Sequence, residues 1–328
     1  MFKKDVILYC HCSTKELGTE ISELTRRDAD SSAIKVTFCE DVVWNTFPDG
    51  YPNLFIKNIQ QSVGKHVVFL GSFHSPQVLF EQISLLYALP RCSVRSLIFI
   101  LPYFPTGTME RVDTEGQVAT ASTMARILSS TPLSAMGPTR LMIFDIHALQ
   151  ERFYFSDNII PLLCTTIPSF LKELKSFQPT TQSIAIAFPD EGAHKRFHSH
   201  FSDYALVRCI KTRNGDQRTV TIVEGSPKGK HVVIVDDLIM TGTTLHKCID
   251  EMWDKGAASV SAYVAHAVFP GESWKNFECN GSNRSLNTFW ITNSLPHAAE
   301  IAKNPPFKLL SLAESIVESL QRVIVCSD

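Results

Sequence analysis

Two adjacent carboxylates, Asp236 and Asp237, directly follow a run of β-branched apolar residues at 232–235. Small polar residues come next and lead into a helical pattern of apolar residues that starts at Leu245. In such a strand, loop and helix, the loop amides and the helix N-terminus point toward one spot and favour an anion there. The paired carboxylates suit vicinal sugar hydroxyls or water on a divalent cation. The combination predicts a site for a sugar 5-phosphate.

The loop after the acid pair has little side-chain bulk, so a phosphate group can approach its backbone N–H groups. Its predicted ligand-binding residues are Met240, Thr241, Gly242, Thr243 and Thr244. Termination of a strand by the acids and capping of a helix by the threonines is the structural alternative. No Gly-Lys-Ser/Thr follows, which excludes a Walker A loop. The pattern resembles the phosphoribosyl pyrophosphate loop, found both in phosphoribosyltransferases and in the synthetase that makes their substrate.

Composition places the chain among soluble globular proteins, with 328 residues, 44% hydrophobic and 20% charged. That length predicts two domains of ordinary size. The net charge of −2 gives no basic field for nucleic acid, and no apolar stretch approaches the length of a membrane span. Nine cysteines without zinc-ligand spacing indicate free thiols in a reducing compartment. We therefore expect a cytoplasmic protein with no nucleic-acid or membrane partner.

An internal duplication is visible in two seven-residue segments, 64–70 and 229–235, which are nearly identical and lie 165 positions apart (229 minus 64). Each is followed by a helix-length pattern and then by another apolar strand. The first copy has Gly71 and Ser72 where the second has its acid pair, so only the second keeps the sugar-phosphate site. The pattern predicts an α/β protein with two duplicated doubly wound parallel-sheet domains.

Further motifs occur in a fixed order along the chain: a Phe-Pro-Asp-Gly turn at 47–50, an apolar strand end at 101–105, Asp-Ile-His-Ala at 145–148 and Pro-Asp-Glu-Gly-Ala at 189–193. Together with the acid loop, they cover nearly the whole chain and resemble those of ribose-phosphate pyrophosphokinase, also called phosphoribosyl pyrophosphate synthetase. The resemblance implies domains of the type I phosphoribosyltransferase kind at 1–161 and 162–308. We expect the final amphipathic stretch, 309–325, to fold back on the first domain.

Three residues are candidate ligands for Mg²⁺. Asp145 and His147 follow a strand at 141–144, and their spacing of two predicts that they project on the same side. Asp190 ends the strand at 184–188 and points at the same kind of crevice. A carboxylate suits Mg²⁺ better than an imidazole does, and capping of a following helix is the structural alternative for His147.

A basic segment at 208–218 holds four cationic side chains in eleven residues. A solvated charged hairpin is the ordinary explanation of such a segment. In the family that the chain resembles, a Lys-x-Arg in this place lies on a mobile loop that closes over the substrates, and Lys211 and Arg213 match it. The resemblance implies that these two residues are catalytic and stabilise charge on the transferred group.

The resemblance also implies an ATP site, made of Phe47, Asp49, Tyr51, Thr108, Met109, Arg111, Asp113 and His147. Thr108 and Met109 replace an Arg and a Gln that contact ATP in most family members, and Arg111 is the nearest cation available instead. Tyr51 replaces an adenine-site Glu, and Met240 replaces an Asp of the phosphate loop. These departures resemble the phosphate-independent subclass best known from plants.

The implied reaction transfers the pyrophosphoryl group of Mg·ATP to ribose 5-phosphate, and the resemblance implies a homo-oligomer. Two alternatives remain at this stage. A phosphoribosyltransferase would share the acid loop, and a non-catalytic regulatory homologue would share the whole fold. Release of AMP from ATP by the purified chain separates them.

Overall fold

The computed structural model describes residues 4–27, 33–177, 183–214, 217–278 and 284–325. The chain forms two compact units, one of Met1–Thr166 with Ser311–Asp328 and the other of Ile167–Leu310. The domain boundaries predicted from the sequence, at 161/162 and 308/309, remain predictions. No helix within the described ranges has the length and apolar character that a membrane span requires.

The first unit is built on a six-stranded parallel sheet in the order β2-β1-β5-β6-β7-β8. A separate antiparallel hairpin consists of β3 and β4. In chain order the elements are β1 (Lys4–Cys10), α1 (Lys15–Arg27), β2 (Ile34–Cys39), β3 (Val42–Thr46), β4 (Pro52–Ile56), β5 (His66–Leu70), α2 (Leu79–Arg91), β6 (Ser96–Leu101), α3 (Thr120–Ser129), β7 (Thr139–Phe144) and β8 (Ile159–Cys164).

The central strands of this sheet are covered on both faces, so every residue of β5 and β6 is buried. One face packs against Leu17 and Ile21 of α1, and the opposite face packs against α2 and α3. Strands buried on both faces have continuous apolar sequences instead of alternating ones. This is the doubly wound arrangement that the sequence predicted.

The second unit is built on a seven-stranded sheet in the order β11-β10-β9-β12-β13-β14-β15, parallel except for β11 at its edge. Its elements are α4 (Ile167–Ser176), β9 (Ile184–Phe188), α5 (Glu191–Phe197), β10 (Ala205–Asn214), β11 (Gln217–Glu224), β12 (His231–Ile239), α6 (Thr243–Asp254), β13 (Ser259–Ala267), β14 (Phe289–Thr292), α7 (Ala298–Ile301) and β15 (Phe307–Leu310).

The two sheets share one strand order, since β10-β9-β12-β13-β14-β15 repeats β2-β1-β5-β6-β7-β8 position by position. A side-chain detail repeats as well. Nδ1 of His66, at the start of β5, lies 2.7 Å from Oγ of Ser96, and Nδ1 of His231, at the start of β12, lies 2.6 Å from Oγ of Ser259. The shared topology and this repeated contact agree with a duplication.

The last helix, α8 (Ala313–Val325), belongs to the first unit. Its residues Ile316 and Leu320 are buried against the same sheet face as α1. The Lys4 ammonium donates to the carbonyl oxygen of Ile324 at 2.7 Å. Residues 309–310 finish strand β15 of the second unit, so the helix begins four residues later than the predicted stretch.

Candidate active site

The strand that carries the acid pair is longer than the sequence predicted. β12 continues through both acids to Ile239, and Asp236 pairs with Val264 of β13 in the parallel ladder. Helix α6 begins at Thr243 instead of Leu245. The connecting loop is therefore only residues 240–242, because parallel pairing extends past the apolar run. A short loop fixes the distance between the carboxylates and the helix N-terminus.

The acid pair lies beside a third carboxylate. Asp190 follows β9, the parallel neighbour of β12, so the carboxyl ends of both strands bring their acids to one edge of the sheet. Burial, followed by the negative charges of Asp237 and Asp190, raises the pKa of Asp236 well above its usual range. Asp190 also caps α5, because its Oδ1 accepts from the amide of Ala193 at 3.0 Å.

Backbone contacts hold the two acids in place. Oδ1 of Asp236 accepts from the amide of Asp237 at 2.9 Å, and Oδ1 of Asp237 accepts from the amide of Leu238 at 2.8 Å. A cationic partner comes from α5, where Nη1 of Arg196 lies 3.9 Å from Oδ2 of Asp237. Both side chains of this ion pair are largely buried, which strengthens their attraction relative to a surface pair.

The loop and helix start present open backbone donors. Gly242, the N-cap of α6, has φ +84°, and no side chain caps the first turn. The first amides of the helix are therefore available to an anion. The hydroxyl groups of Thr241 and Thr243 lie 3.2 Å apart on the exposed side of the loop, where Met240 is also exposed. The five predicted loop residues thus lie together beside the acids, at the start of α6.

The basic segment is an antiparallel hairpin of β10 and β11, in which Lys211 pairs with Val220. The side chain of Lys211 is exposed. The side chain of Arg213 lies outside what the structure describes. At the base of the hairpin, Arg208 forms ion pairs at 3.2 Å with Glu191 and with Glu224. Lys211 therefore lies on strand β10, and its closure over substrates stays a prediction.

In the first unit, Asp145 and His147, which were predicted to project on the same side, differ in exposure. Strand β7 ends at Phe144, and Asp145 takes φ +39°, which breaks the alternation of a strand. Asp145 is buried at 1% exposure, whereas His147 is exposed. The carboxylate of Asp145 accepts from the hydroxyl groups of Thr165 and Thr166 and from the Thr166 amide. These contacts give Asp145 a structural role, and its metal ligation stays a prediction.

His147 lies beside the segment in which two ATP residues were predicted. A 3-10 helix spans Gly107–Met109, and a Cβ placed at Gly107 would lie 3.4 Å from Cβ of His147 and 3.3 Å from Oε1 of Glu151. Glu151 is fully buried, and its Oε1 accepts from the amide of Ala148 at 3.1 Å. The structure therefore brings Thr108 and Met109 into the neighbourhood of His147, with both of their side chains exposed.

The predicted replacement for the family arginine, Arg111, has a partner in this structure. Its Nε lies 3.2 Å from Oδ1 of Asp113, and both side chains are about 70% exposed. An exposed pair of this kind contributes little to stability and is easily broken. The guanidinium is therefore available to a phosphate group without a large cost in folding energy.

The turn of the β3 and β4 hairpin carries the other predicted ATP residues. The amide of Phe47 donates to the carbonyl of Tyr51 at 2.8 Å, and the amide of Tyr51 donates to Oδ1 of Asp49 at 3.1 Å. The Phe47 and Tyr51 rings are half or more exposed, at 50% and 64%. The ring of Tyr51 meets Phe80 edge to face, with centroids 6.2 Å apart. The turn thus exposes two aromatic rings suited to a flat base.

A preformed metal centre is not evident. The described part of the chain contains no group of three or more His, Cys, Asp or Glu side chains arranged to hold a metal ion. The acids around Asp236 nevertheless suit Mg²⁺, which prefers oxygen donors and is commonly bound by one or two carboxylates plus substrate phosphates. Burial and then the charges of Asp237 and Asp190 raise the pKa of Asp236, and a divalent cation would offset those charges.

Comparisons with known proteins agree with this arrangement. Residues 193–298 match the family model described as the phosphoribosyl transferase domain, so the second unit is of the type I phosphoribosyltransferase class. Residues 7–131 match the model described as the N-terminal domain of ribose phosphate pyrophosphokinase.

Two plant relatives resemble the chain over nearly its full length. It is 49% identical over 323 residues to ribose-phosphate pyrophosphokinase 4 of Oryza sativa subsp. japonica, covering 97% of this chain and 96% of that protein. It is 50% identical over 324 residues to the mitochondrial ribose-phosphate pyrophosphokinase 3 of Spinacia oleracea, covering 98% and 77%. The chain belongs to the ribose-phosphate pyrophosphokinase family of enzymes and resembles its plant members.

A solved structure has the same fold. Phosphoribosylpyrophosphate synthetase from Mycobacterium smegmatis matches with a TM-score of 0.78 and 20% sequence identity, covering 98% of this chain and 100% of that one. At this identity the likeness concerns the fold alone. It confirms the predicted class of α/β protein with two parallel-sheet domains.

Two contributors to the site were missed by sequence reasoning. Arg196 was noted only as part of a motif, and its ion pair with Asp237 depends on the packing of α5 beside β12. Its position six residues after Asp190, on the helix that follows, was the available signal. Phe277 contacts Gly242 from a segment far along the chain, and no local pattern indicated this.

Proposed function

We propose that the protein is a ribose-phosphate diphosphokinase, which converts ATP and ribose 5-phosphate into 5-phosphoribosyl 1-pyrophosphate and AMP. The acid pair Asp236–Asp237, placed one short loop before the open N-terminus of α6, carries this proposal. The loop amides suit a 5-phosphate, and the carboxylates suit the ring hydroxyls of a ribose. Membership of the family supplies the reaction class.

In the proposed complex, the phosphate of ribose 5-phosphate accepts hydrogen bonds from the amides of residues 241–244. The carboxylates of Asp236 and Asp237 accept from the sugar hydroxyls, and the Arg196 guanidinium lies beside Asp237. The anomeric oxygen then forms a bond to the β-phosphorus of ATP. The bond from that phosphorus to the oxygen bridging the α- and β-phosphates breaks, AMP leaves with this oxygen, and the anomeric proton passes to solution.

Lys211 and Arg213 are proposed to neutralise charge that spreads over the transferred group. Phosphoryl-type transfer needs little covalent chemistry from the protein, so positioning and charge stabilisation supply the rate. The exposed side chain of Lys211, on a hairpin at the edge of the sheet, suits a group that approaches substrate after binding.

We propose Mg²⁺ as the metal, with Asp190 as its ligand in the second unit; His147 stays a separate predicted ligand of the first unit, and Asp145 is left out. When bound, the metal would neutralise triphosphate charge and polarise the phosphorus that is attacked. Asp190 would contribute through the carboxylate oxygen that does not cap α5, as suits a cation that keeps several of its waters.

For ATP we propose two groups of residues. Phe47 and Tyr51 would contact the base, and the hydrogen-bonded turn around Asp49 would fix the positions of both residues. Thr108, Met109 and Asp113, with His147 beside them, would contact ATP, and Arg111 would contact its phosphates. The exposed ion pair between Arg111 and Asp113 supports this, because opening it frees a guanidinium for bidentate binding of phosphate oxygens.

We propose independence of inorganic phosphate, a homo-oligomeric state and a reducing compartment, with the cytoplasm as the first expectation. Thr108, Met109 and Met240 support phosphate independence as departures from the commoner family pattern. Exposed aromatic side chains of the first unit, including Phe153 at 79% and Phe55 at 62%, support self-association. The described cysteines are all free thiols, which supports a reducing compartment, although relatives include mitochondrial and chloroplastic forms.

The test is AMP formation by the purified chain from ATP, Mg²⁺ and ribose 5-phosphate, with and without inorganic phosphate. AMP in equal amount to phosphoribosyl pyrophosphate supports the diphosphokinase, and activity without phosphate supports the subclass. Formation of a nucleotide from a free base and phosphoribosyl pyrophosphate would favour a phosphoribosyltransferase. Absence of turnover would favour the regulatory homologue.

A further inference from the structure

The sugar-phosphate loop is supported from behind by a segment that the proposed reaction does not use. A 3-10 segment, Pro270–Phe277, follows β13 and ends in a ring that is only 6% exposed. A Cβ placed at Gly242 would lie 2.5 Å from two ring carbons of this Phe277. The edge of the ring therefore lies directly against the backbone of the residue on which the loop turns.

A second ring continues this support into helix α6. His246 lies in the first turn of the helix, and its amide donates to the carbonyl oxygen of Gly242 at 2.9 Å. The imidazole stacks on Phe277 with ring centroids 4.0 Å apart and an angle of 10° between the planes. Gly242 and the first helical turn thus rest on one pair of stacked rings.

The same segment contacts the other side of the loop. Oγ of Ser273 donates to the carbonyl oxygen of Met240 at 3.3 Å. The loop between β12 and α6 is therefore held at Met240 by a hydrogen bond and at Gly242 by a ring. Since phosphate binding by backbone amides needs those amides to be aimed before the ligand arrives, such support reduces the ordering that binding must supply.

We propose that Phe277, stacked on His246, is a positioning residue for the 5-phosphate of the sugar substrate. It acts through Gly242 and touches no reacting atom. The inference rests on the proposed function only in taking a sugar 5-phosphate as the ligand of this loop. It predicts that loosening the rings weakens sugar-phosphate binding and leaves ATP binding unchanged.

The variants Phe277→Leu and His246→Leu remove the stack, and His246→Phe keeps it with a ring of similar size. Phe307→Leu is the matched control, because Phe307 belongs to the same aromatic cluster and stacks on Phe289 with centroids 5.0 Å apart. Binding of ribose 5-phosphate is measured by calorimetry, and KM values for both substrates are measured by AMP formation.

We expect Phe277→Leu and His246→Leu to weaken ribose 5-phosphate binding about fivefold to tenfold, with KM for ATP within about twofold of wild type. His246→Phe should restore binding, and Phe307→Leu should lower thermal stability without this selective effect. Wild-type affinity in both leucine variants, or equal rises in both KM values, would overturn the inference. If the wild-type protein binds ribose 5-phosphate but releases no AMP, only the proposed reaction is contradicted, and the positioning role is still tested by binding.

A double substitution gives an independent test. Gly242→Ala must strain the backbone, because φ +84° disfavours a side chain, and must also collide with Phe277. Replacing the ring by the smaller leucine side chain in Phe277→Leu should relieve part of the collision. We therefore expect Gly242→Ala to weaken sugar-phosphate binding by a smaller factor in the Phe277→Leu background than in wild type. Independent effects of the two changes would contradict contact between them.

Discussion

Asp190 acts on Asp236 through its negative charge, because the parallel neighbours β9 and β12 end at the same edge of the sheet. Burial and the adjacent Asp237 contribute more than Asp190 does, and together the three raise the pKa of Asp236 well above its usual range. The site without ligands is therefore electrostatically strained. A bound cation or a hydrogen-bonding sugar hydroxyl would relieve that strain, which couples ligand binding to stability.

The first prediction concerns Asp236→Asn. A carboxyl whose pKa is raised in the folded state binds a proton there that the unfolded chain has released, so stability falls as pH rises from the unfolded pKa to the folded pKa. The asparagine keeps an acceptor for the Asp237 amide and removes the charge. Urea unfolding without ligands should show the variant more stable than wild type at neutral pH, with the difference vanishing below the unfolded pKa of about 3.9.

The same variant should lose most turnover, since the carboxylate is proposed to contact the sugar hydroxyls. Asp250→Asn is the control, because Asp250 is exposed on α6. A variant that is less stable than wild type at neutral pH would contradict the strained-site account.

A second prediction concerns acid stability. Burial lowers the pKa of His231 to about 4 from the ordinary 6.5. The unfolded chain therefore binds a proton that the folded chain excludes between these values, and stability is lost as pH falls from 6.5 toward 4. This pKa shift corresponds to a total loss of about 3 kcal/mol in the free energy of unfolding. His231→Gln should flatten this part of the unfolding profile, and His200→Gln, at an exposed position, should not.

A third prediction concerns Lys211. Its side chain is exposed, so Lys211→Ala should leave thermal stability unchanged, while turnover should fall by about 10² to 10³ if it stabilises charge on the transferred group. Steady-state rates and melting curves are compared with those of Lys228→Ala, another exposed lysine of the second unit. A fall of less than about threefold would remove Lys211 from the catalytic set.

A fourth prediction concerns nucleotide binding. Arg111→Ala should raise KM for ATP about fivefold to tenfold and leave KM for ribose 5-phosphate unchanged, because loss of a phosphate contact affects one substrate. The ion pair with Asp113 is exposed, so folding should not change. Arg152→Ala, at another exposed position of the first unit, serves as the control. Unchanged ATP kinetics would show that Arg111 does not replace the family arginine.

The fold and the sugar-phosphate loop were predictable because their signals are local. Residues 229–235 repeat residues 64–70, and strands buried on both faces read as continuous apolar runs. The acids and Gly242 follow one such run directly. The sequence alone therefore placed the acids near the end of the strand and Gly242 at the start of the helix.

The features that the sequence did not indicate depend on single backbone angles or on packing between distant segments. The positive φ of Asp145 had no local signal in the sequence, because few non-glycine residues adopt one. β12 extended past its apolar run because β13 continued beside it. The support of Gly242 by Phe277 and the ion pair of Arg196 with Asp237 arise only after the helices pack.

AMP formation from Mg·ATP and ribose 5-phosphate, compared between the wild-type chain and Asp237→Asn, tests the central claim most directly. Asp237 is held in place by the Leu238 amide and Arg196, so the variant removes a proposed sugar contact at a defined position. We predict that wild type forms AMP and phosphoribosyl pyrophosphate in equal amounts and that the variant loses most of this activity. No AMP from the wild-type chain, or equal rates in both proteins, would contradict the account.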